Sequence, residues 1–310
     1  MINLADSVLA AICWNPKDET VQPDIVSESL AARIGAISGL KTFPVVAQKV
    51  LSMLDKPDFT VDTVSDTIRE DPSLAAGVLR LANSPFYAST HPVNTLDYAF
   101  IRLGKNTVKE AVFAVATMRL FPQTTGLGKM IRDHCAATAA IGHCLSKIFK
   151  IGEPEIVFLC GLMHDVGKML LIDSREIEYP ASIEQAMTFD QIHLYEKEKL
   201  GFDHAILAGQ VLTRWNLGEP IAKIVAWHHC PELALKDKKT GLMVSLLRLA
   251  DNIENQLRFQ LVDDKEFLED IKNSQDAKLA GIEKTRPEQV ESCWELIKEA
   301  REKSLEIFGG

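Results

Sequence analysis

The chain has 310 residues, of which 46% are hydrophobic and 25% are charged. This composition is typical of folded globular proteins and excludes a disordered, collagen-like or disulfide-scaffold chain. The length is sufficient for two domains or subdomains. Its 34 Lys and Arg against 43 Asp and Glu give a net charge of −9, which disfavours nucleic acid as a partner. The apolar runs are far shorter than the roughly 18 residues that a membrane span requires, and the N-terminus lacks a basic signal region. These two features predict a cytoplasmic protein without a membrane partner.

Apolar residues recur at three- and four-residue spacing along most of the chain, and long alternating β-branched runs are missing from the sequence. This pattern predicts an all-α protein. In the first half, the residues that favour the start of a helix are Pro44, Thr60, Asp71-Pro72, Thr95 and Asn106. Gly104 is expected to end the fourth helix, and Phe121-Pro122 the fifth. Five short helices joined by tight turns predict a compact bundle.

The stretch Gln123–Gly128 has the composition of a turn and is the best candidate for a domain boundary. Longer helices are predicted after it: about Lys129 to Lys150, Glu153-Pro154 through His164, His204 to Trp215, Glu219 to His229 and Leu242 to Leu257. Residues 262–310 carry 13 acidic and 8 basic side chains. Their apolar stripe predicts a last amphipathic helix that docks on the body of the protein, through Val290, Trp294, Ile297, Leu305 and Phe308.

Five of the eight histidines and two aspartates stand in otherwise apolar segments, where ionisable groups are costly unless they are paired or bound to metal. These candidate metal ligands are His134, His164 with Asp165, His204, the pair His228-His229 and Asp251. Imidazole nitrogen and carboxylate oxygen together suit Fe, Mn, Zn, Ni or Co. The other three histidines, His91, His143 and His193, are expected to be ordinary core or surface residues.

The two ligand doublets, His164-Asp165 and His228-His229, indicate more than one ion. Adjacent helical residues point about 100° apart, so a doublet does not easily chelate one ion from a straight helix. It does so near a helix end, or when each member serves a different ion of a cluster with metals roughly 3.5–4 Å apart. Gly167 is expected to permit a local bend that turns both members of the first doublet inward.

Residues 161–168, Gly-Leu-Met-His-Asp-Val-Gly-Lys, resemble the hallmark of the HD superfamily of metal-dependent phosphohydrolases. The first half carries further motifs: Phe43-Pro44, Glu70-Asp71-Pro72, the Leu-Arg-Leu-Ala-Asn-Ser block from Leu79 to Ser84, Phe86-Tyr87 and Ile101 to Gly104. These resemble the HDOD domain of bacterial signalling proteins, over about residues 30 to 255. The resemblance implies a short-helix bundle packed on an HD-superfamily helical domain. The implied division is an N-terminal helical extension (1–29), the HDOD bundle (30–125), the HD-like metal-binding domain (126–260) and a charged amphipathic helical segment (261–310).

In catalytically active relatives, which include the HD-GYP cyclic di-GMP phosphodiesterases, the positions that match all seven candidate ligands bind two or three metals. The resemblance implies that in an active enzyme Asp165 would bridge the metals and Lys168 would orient a substrate phosphate. Lys168 is equally consistent with an exposed helix lysine. The chain continues after His229 with Cys-Pro-Glu and contains no Gly-Tyr-Pro segment, so cleavage of cyclic di-GMP is not expected.

Two main hypotheses follow from the resemblance and the ligand set, and a third alternative is a purely structural protein whose histidines no longer bind metal. In the first, the chain is a signalling or regulatory module that binds a protein partner or a small phosphorylated ligand, and its metal is structural or sensory. In the second, it is an active metal-dependent phosphohydrolase that acts on a nucleotide or a related phosphoester.

Overall fold

A computed structural model describes residues 28–39, 41–83, 92–121, 126–175, 192–215, 217–230, 234, 237–259, 263–280, 282 and 287–308. These ranges contain helices, turns and no strand, so the predicted all-α class is confirmed. The helices are α1 (Glu28–Ser38), α2 (Val45–Leu54), α3 (Val61–Arg69), α4 (Pro72–Ala82), α5 (Leu96–Leu120), α6 (Gly126–Phe149), α7 (Pro154–Met163), α8 (Val166–Ser174), α9 (Ile192–Leu200), α10 (His204–Arg214), α11 (Glu219–Ala226), α12 (Lys238–Phe259), α13 (Asp264–Asn273), α14 (Gln275–Ala280) and α15 (Pro287–Phe308). Within the described ranges, none of these helices has the length and apolarity that crossing a bilayer requires.

Local capping explains where the helices of the first half begin. The Asp71 carboxylate accepts hydrogen bonds from the backbone N–H groups of Ser73 and Leu74, both at 3.1 Å. The Thr95 hydroxyl accepts from the N–H of Tyr98 at 3.1 Å. Such side chains satisfy donors that the first helical turn leaves unpaired, so these predicted starts are confirmed. Gly104 interrupts α5 with a left-handed φ of 79°, as its predicted role as a helix stop requires.

Two predicted helices of the second half end earlier than expected. The helix predicted to pass through His164 ends at Met163, so that His164 and Asp165 form a turn before α8. The helix predicted to reach His229 ends at Ala226, and the His228-His229 pair lies in the turn that follows. Both doublets therefore stand at helix ends, where neighbouring side chains are released from the helical spacing and can face one interior. Conversely, α12 begins at Lys238, four residues before its predicted start.

The C-terminal region differs from the single predicted helix, since α13 and α14 precede α15. The last helix packs along α6, and its Trp294 and Ile297 are buried, which confirms that it docks on the body. Arg301 of α15 also donates two hydrogen bonds to the buried carboxylate of Glu254 on α12, at 2.5 and 3.4 Å. The side chains of Val290 and Phe308, predicted members of the apolar stripe, lie outside the described part of the molecule.

The N-terminal bundle packs on the second half through α5 against α7 and α1 against α10, and the two halves share one hydrophobic core. This arrangement confirms the predicted architecture. The three boundaries between the four predicted segments remain predictions. Residues 1–27 and 122–125 lie outside the described ranges, and α6 begins at Gly126 within the predicted turn Gln123–Gly128.

Two glycines allow the helices around His164 to approach one another. A Cβ atom at Gly161 would lie 2.4 Å from the Cα of Ala139 on α6, and one at Gly167 would lie 2.0 Å from the carbonyl oxygen of His204 on α10. Gly167 is thus needed for close backbone contact between α8 and α10, and the bend that it was predicted to permit is supplied by the turn at His164-Asp165.

Replacing Gly167 with Ala is expected to destabilise the fold by about 1–3 kcal/mol and to displace His204, because backbone atoms must move to relieve the contact. Urea unfolding and metal titration of the variant measure the two effects. The matched control is Gly35→Ala on α1, where the new Cβ would meet only the flexible end of Arg214, at 3.2 Å. Equal stabilities of the two variants would contradict the assigned role of Gly167.

Candidate metal centre

The structure brings all seven candidate ligands together from five places in the chain. They are His134 in the middle of α6, His164 and Asp165 in the turn between α7 and α8, His204 at the start of α10, His228 and His229 in the turn after α11, and Asp251 in the middle of α12. Six are buried and His229 is half-buried. The α1–α5 bundle contributes none of the seven.

One group of donors forms around His134 and His164. The His134 Nε2 atom lies 2.9 Å from the Oδ1 atom of Asp251 and 3.2 Å from the Nε2 atom of His164. The Oδ2 atom of Asp165 lies 3.5 Å from His164 Nε2 and 3.8 Å from His134 Nε2. Ligands bound to one ion at about 2.0–2.2 Å are themselves separated by about 3.0–3.6 Å. This donor spacing is therefore close to that of a metal coordination shell.

A second group contains His204, His228 and His229, whose candidate ligand atoms all lie within 4.8 Å of one another. The Nε2 atoms of His204 and His229 are 3.0 Å apart, and His204 Nε2 lies 3.1 Å from the Oδ1 atom of Asp165. Each oxygen of Asp165 thus faces a different group. A carboxylate in this position has the geometry needed to bridge two ions.

Backbone carbonyls orient two of the imidazole rings. His164 Nδ1 lies 2.8 Å from the carbonyl oxygen of Gly161, and His228 Nδ1 lies 2.6 Å from that of Val225. Since a carbonyl only accepts, each Nδ1 must carry the proton, and each Nε2 presents its lone pair to the interior. His228 Nε2 is buried without a hydrogen-bond partner in the described structure, an arrangement that a bound metal ion would satisfy.

Glu196 contacts the candidate site and was missed by the sequence analysis. Its buried carboxylate accepts hydrogen bonds from the His204 backbone N–H at 2.7 Å and from His204 Nδ1 at 2.6 Å. A carboxylate behind a metal-binding imidazole fixes the ring and increases its basicity. Its spacing could have indicated that it is buried, because Glu196 lies four residues from both Ile192 and Leu200, the two apolar residues on the buried face of α9.

His193 was expected to be an ordinary residue, but the structure places it against the site. Its ring stacks on that of His229, with centroids 4.2 Å apart and planes 9° apart. His143 agrees with its prediction: it is buried on α6 with its ring edge against Phe158, where burial lowers its pKa to about 4. His91 lies outside the described residues.

Burial and neighbouring charges set the protonation of the metal-free site. Burial, reinforced by the neighbouring histidines, lowers the pKa of His228 to about 3, and burial also lowers the pKa of His164. Burial alone would lower the pKa of His204, but the Glu196 and Asp165 carboxylates together outweigh it and raise that pKa to about 9. His164 and His228 are therefore neutral near pH 7, as ligands must be.

The acidic ligands remain ionised despite their burial. Burial would raise the pKa of Asp165, but His164, Lys168 and His204 hold it well below its usual range. The pKa of Asp251 is likewise lowered, because its hydrogen bond and charge interaction with His134 outweigh burial. Both carboxylates thus carry the negative charge that a divalent cation requires.

Lys168 belongs to the site. Its side chain is 3% exposed, and its ammonium donates a hydrogen bond to Asp165 Oδ2 at 2.7 Å, so the alternative of an exposed helix lysine is wrong. Burial would lower the pKa of Lys168, but Asp165 and Asp251 outweigh this and raise it. A permanent positive charge therefore stands beside the carboxylate that faces both donor groups.

Replacing Glu196 with Gln is expected to weaken metal binding by about 10- to 100-fold, because the amide provides less negative charge to orient and polarise His204. Titration of the metal-free protein with Mn²⁺ or Zn²⁺ measures the change. The matched control is Glu198→Gln on the same helix, whose side chain is 73% exposed. If both variants bound metal as tightly as the wild type, Glu196 would have no role behind His204.

The stability of the metal-free protein is expected to fall as the pH is lowered from about 6.5, on the order of 2 kcal/mol per buried neutral histidine by about pH 5. For His143 and His228 the folded pKa lies below the unfolded value, so the unfolded state takes up protons first. His204 has the opposite effect, because its folded pKa lies above the unfolded value. Its contribution to the free energy of unfolding is fully present below about pH 6.5 and is lost as the pH rises towards 9. Urea unfolding across this range in EDTA checks both slopes, and a flat profile would contradict them.

Comparison with known proteins connects this centre to a family. A model of the HDOD domain matches residues 40–231. An uncharacterised protein of Treponema pallidum is 22% identical over 215 residues, which are 66% of this chain and 40% of that relative. The chain therefore spans well under half the length of the curated relative that it matches.

Solved structures show the same fold. A candidate phosphohydrolase from Shewanella amazonensis has a TM-score of 0.71 at 24% identity and covers 91% of this chain and 98% of its own. An HDOD domain protein of unknown function from Geobacter sulfurreducens has the same TM-score and identity, over 90% and 97% of the two chains. A candidate signal-transduction protein from Marinobacter aquaeolei has a TM-score of 0.64 at 17% identity, over 90% of this chain and 64% of its own.

Proposed function

The chain belongs to the HDOD domain family, and from this membership we propose that it is a bacterial signal-transduction protein that uses an HD-type metal centre for regulation. The convergence of the seven candidate ligands into two donor groups joined by Asp165 is the observation that supports a metal-dependent function. Five imidazoles and two carboxylates would hold two or more ions of Fe, Mn, Zn, Ni or Co.

A regulatory role is favoured over cyclic di-GMP cleavage for two reasons. The Gly-Tyr-Pro segment that follows the histidine pair in the HD-GYP phosphodiesterases does not occur in the sequence. In addition, the α1–α5 bundle packs on the metal-binding half without contributing a ligand, which leaves its surface available to recognise a protein partner or a small phosphorylated ligand. The metal would then stabilise or sense one conformation of the module.

Turnover assays on the metal-loaded protein test this proposal. We expect no metal-dependent release of product from p-nitrophenyl phosphate, bis(p-nitrophenyl) phosphate, cyclic di-GMP or mononucleotides. The Asp165→Asn variant gives the background rate. Turnover above that background with any of these substrates would overturn the regulatory proposal in favour of catalysis.

Phosphoester hydrolysis is the second candidate, and the buried position of Lys168 favours it. Divalent ions in this centre would supply Lewis-acid activation of water and of a phosphoester oxygen. The Lys168 ammonium would neutralise charge on a substrate phosphate close to Asp165. Where His204 is not bound to metal, Glu196 keeps it protonated, and it would provide a proton for the leaving oxygen. Burial and the neighbouring histidines hold the pKa of His229 well below its usual range, so His229 is the weaker candidate for this role.

A further inference from the structure

A pocket of about 470 Å³ lies between α4, α5, α6 and α15. This volume is within the range of about 300–1,000 Å³ that is usual for small-molecule sites. None of the seven candidate metal ligands lines it, nor does Lys168. The pocket is therefore a different site from the metal centre.

Three arginines from three helices line this pocket: Arg80 of α4, Arg119 of α5 and Arg132 of α6. None of the described residues that line it is acidic. Two carboxylates lie beside these arginines: Asp71 pairs with Arg119 at 2.6 Å, and Asp133 lies 4.0 Å from Arg132 but also pairs with Lys129 at 2.6 Å. The positive side chains therefore outnumber these two carboxylates. Such a concentration of guanidinium groups in a protein of net charge −9 indicates an anionic ligand.

The number of guanidinium groups favours a ligand with a phosphate group over a ligand with a carboxylate group. A guanidinium donates paired, coplanar hydrogen bonds, and a phosphate dianion offers enough oxygens and charge for several such groups. The side chain of Arg132 is only 10% exposed, whereas that of Arg119 is 41% exposed, so the charges extend from the depth of the pocket to its rim.

The remaining walls are mainly apolar, formed by Leu81, Val115, Met118 and Ile307. A free inorganic anion would leave these surfaces in contact with water. A ligand that joins a phosphate to a flat apolar body would use both the arginines and the walls.

We propose that this pocket binds a phosphorylated small molecule of about mononucleotide size. The proposal that the pocket binds a ligand depends only on the residues that line it. The proposal that this ligand carries a signal depends on the regulatory function proposed above. Arg132 lies two residues before His134 on α6. Ile307 lies on α15, whose Arg301 binds Glu254, three residues after Asp251 on α12. A ligand here would therefore contact two helices that are tied to the metal centre.

Isothermal titration calorimetry of the full chain in EDTA, with AMP and GMP as probes, tests the site. We expect binding by at least one nucleotide, and much weaker binding by adenosine, guanosine and inorganic phosphate. Arg119→Gln and Arg80→Gln should each weaken nucleotide binding by about tenfold or more. The matched control is Arg69→Gln, which also removes an arginine from a surface ion pair, at 46% exposure, and should leave the affinity unchanged.

Two further variants separate this pocket from the metal centre. Ser73→Trp should fill the pocket without changing its charge and abolish binding, and circular dichroism verifies its fold. Asp165→Asn should bind the nucleotide as the wild type does. Failure of both nucleotides to bind, or binding that survives Ser73→Trp, would overturn the proposed site. Binding lost in Asp165→Asn would instead place the nucleotide at the metal centre and also overturn it.

Discussion

Replacing Asp165 with Asn is expected to reduce metal affinity at both donor groups by more than about a hundredfold, a larger loss than removal of a supporting residue causes. The reason is geometric: Oδ2 of Asp165 faces His164 and Oδ1 faces His204, so one substitution removes charge from both groups. The helical fold should persist, because the amide occupies nearly the same volume in the same turn.

Elemental analysis after gel filtration measures the loss, with far-UV circular dichroism as the check on folding. The matched control is Asp173→Asn on α8, which removes a half-exposed carboxylate that pairs with Lys41 at 3.0 Å. This control should retain all its metal. A variant without Asp165 that kept one tightly bound ion would show that the two groups do not share this carboxylate.

Replacing Lys168 with Gln is expected to destabilise the metal-free protein by about 3–5 kcal/mol, the cost of leaving a buried carboxylate without its partner. The effect should be much smaller in the metal-loaded protein, because the ions themselves would then balance the charge of Asp165. This difference between the two states links stability directly to metal at the site.

Urea unfolding with and without metal measures the two effects of Lys168→Gln. Lys41→Gln is the matched control, since its ion pair with Asp173 is partly exposed and should contribute less than about 1 kcal/mol in either state. If Lys168→Gln lost equal stability with and without metal, the result would contradict the binding of a metal cation beside Asp165.

Local chemistry made much of the fold predictable. Asp71 and Thr95 start helices because their side chains bond to the adjacent backbone, and Gly104 interrupts α5 because it adopts a positive φ. The convergence of the seven candidate ligands could be expected from the sequence because ionisable groups in apolar segments are costly and because their order resembles the HD motif.

Tertiary contacts decided what the sequence analysis missed. The helices before His164 and His228 end early, although the apolar pattern continues through both doublets, because the side chains are directed into the shared interior. Glu196 and His193 contact His204 and His229, which lie on other elements, so the spacing of residues along α9 does not connect them to the site. The role of Gly167 depends on the backbone of His204, which no local pattern contains.

The number of metal ions per chain tests the central claim most directly. Elemental analysis of untagged wild-type protein should find two or more ions of Fe, Mn, Zn, Ni or Co per chain. The double variant His164→Ala, Asp165→Ala, shown by circular dichroism to be folded, should contain none. A folded wild-type protein that bound no metal after loading, or ions that persisted in the double variant, would contradict the assignment of these seven residues as a metal centre.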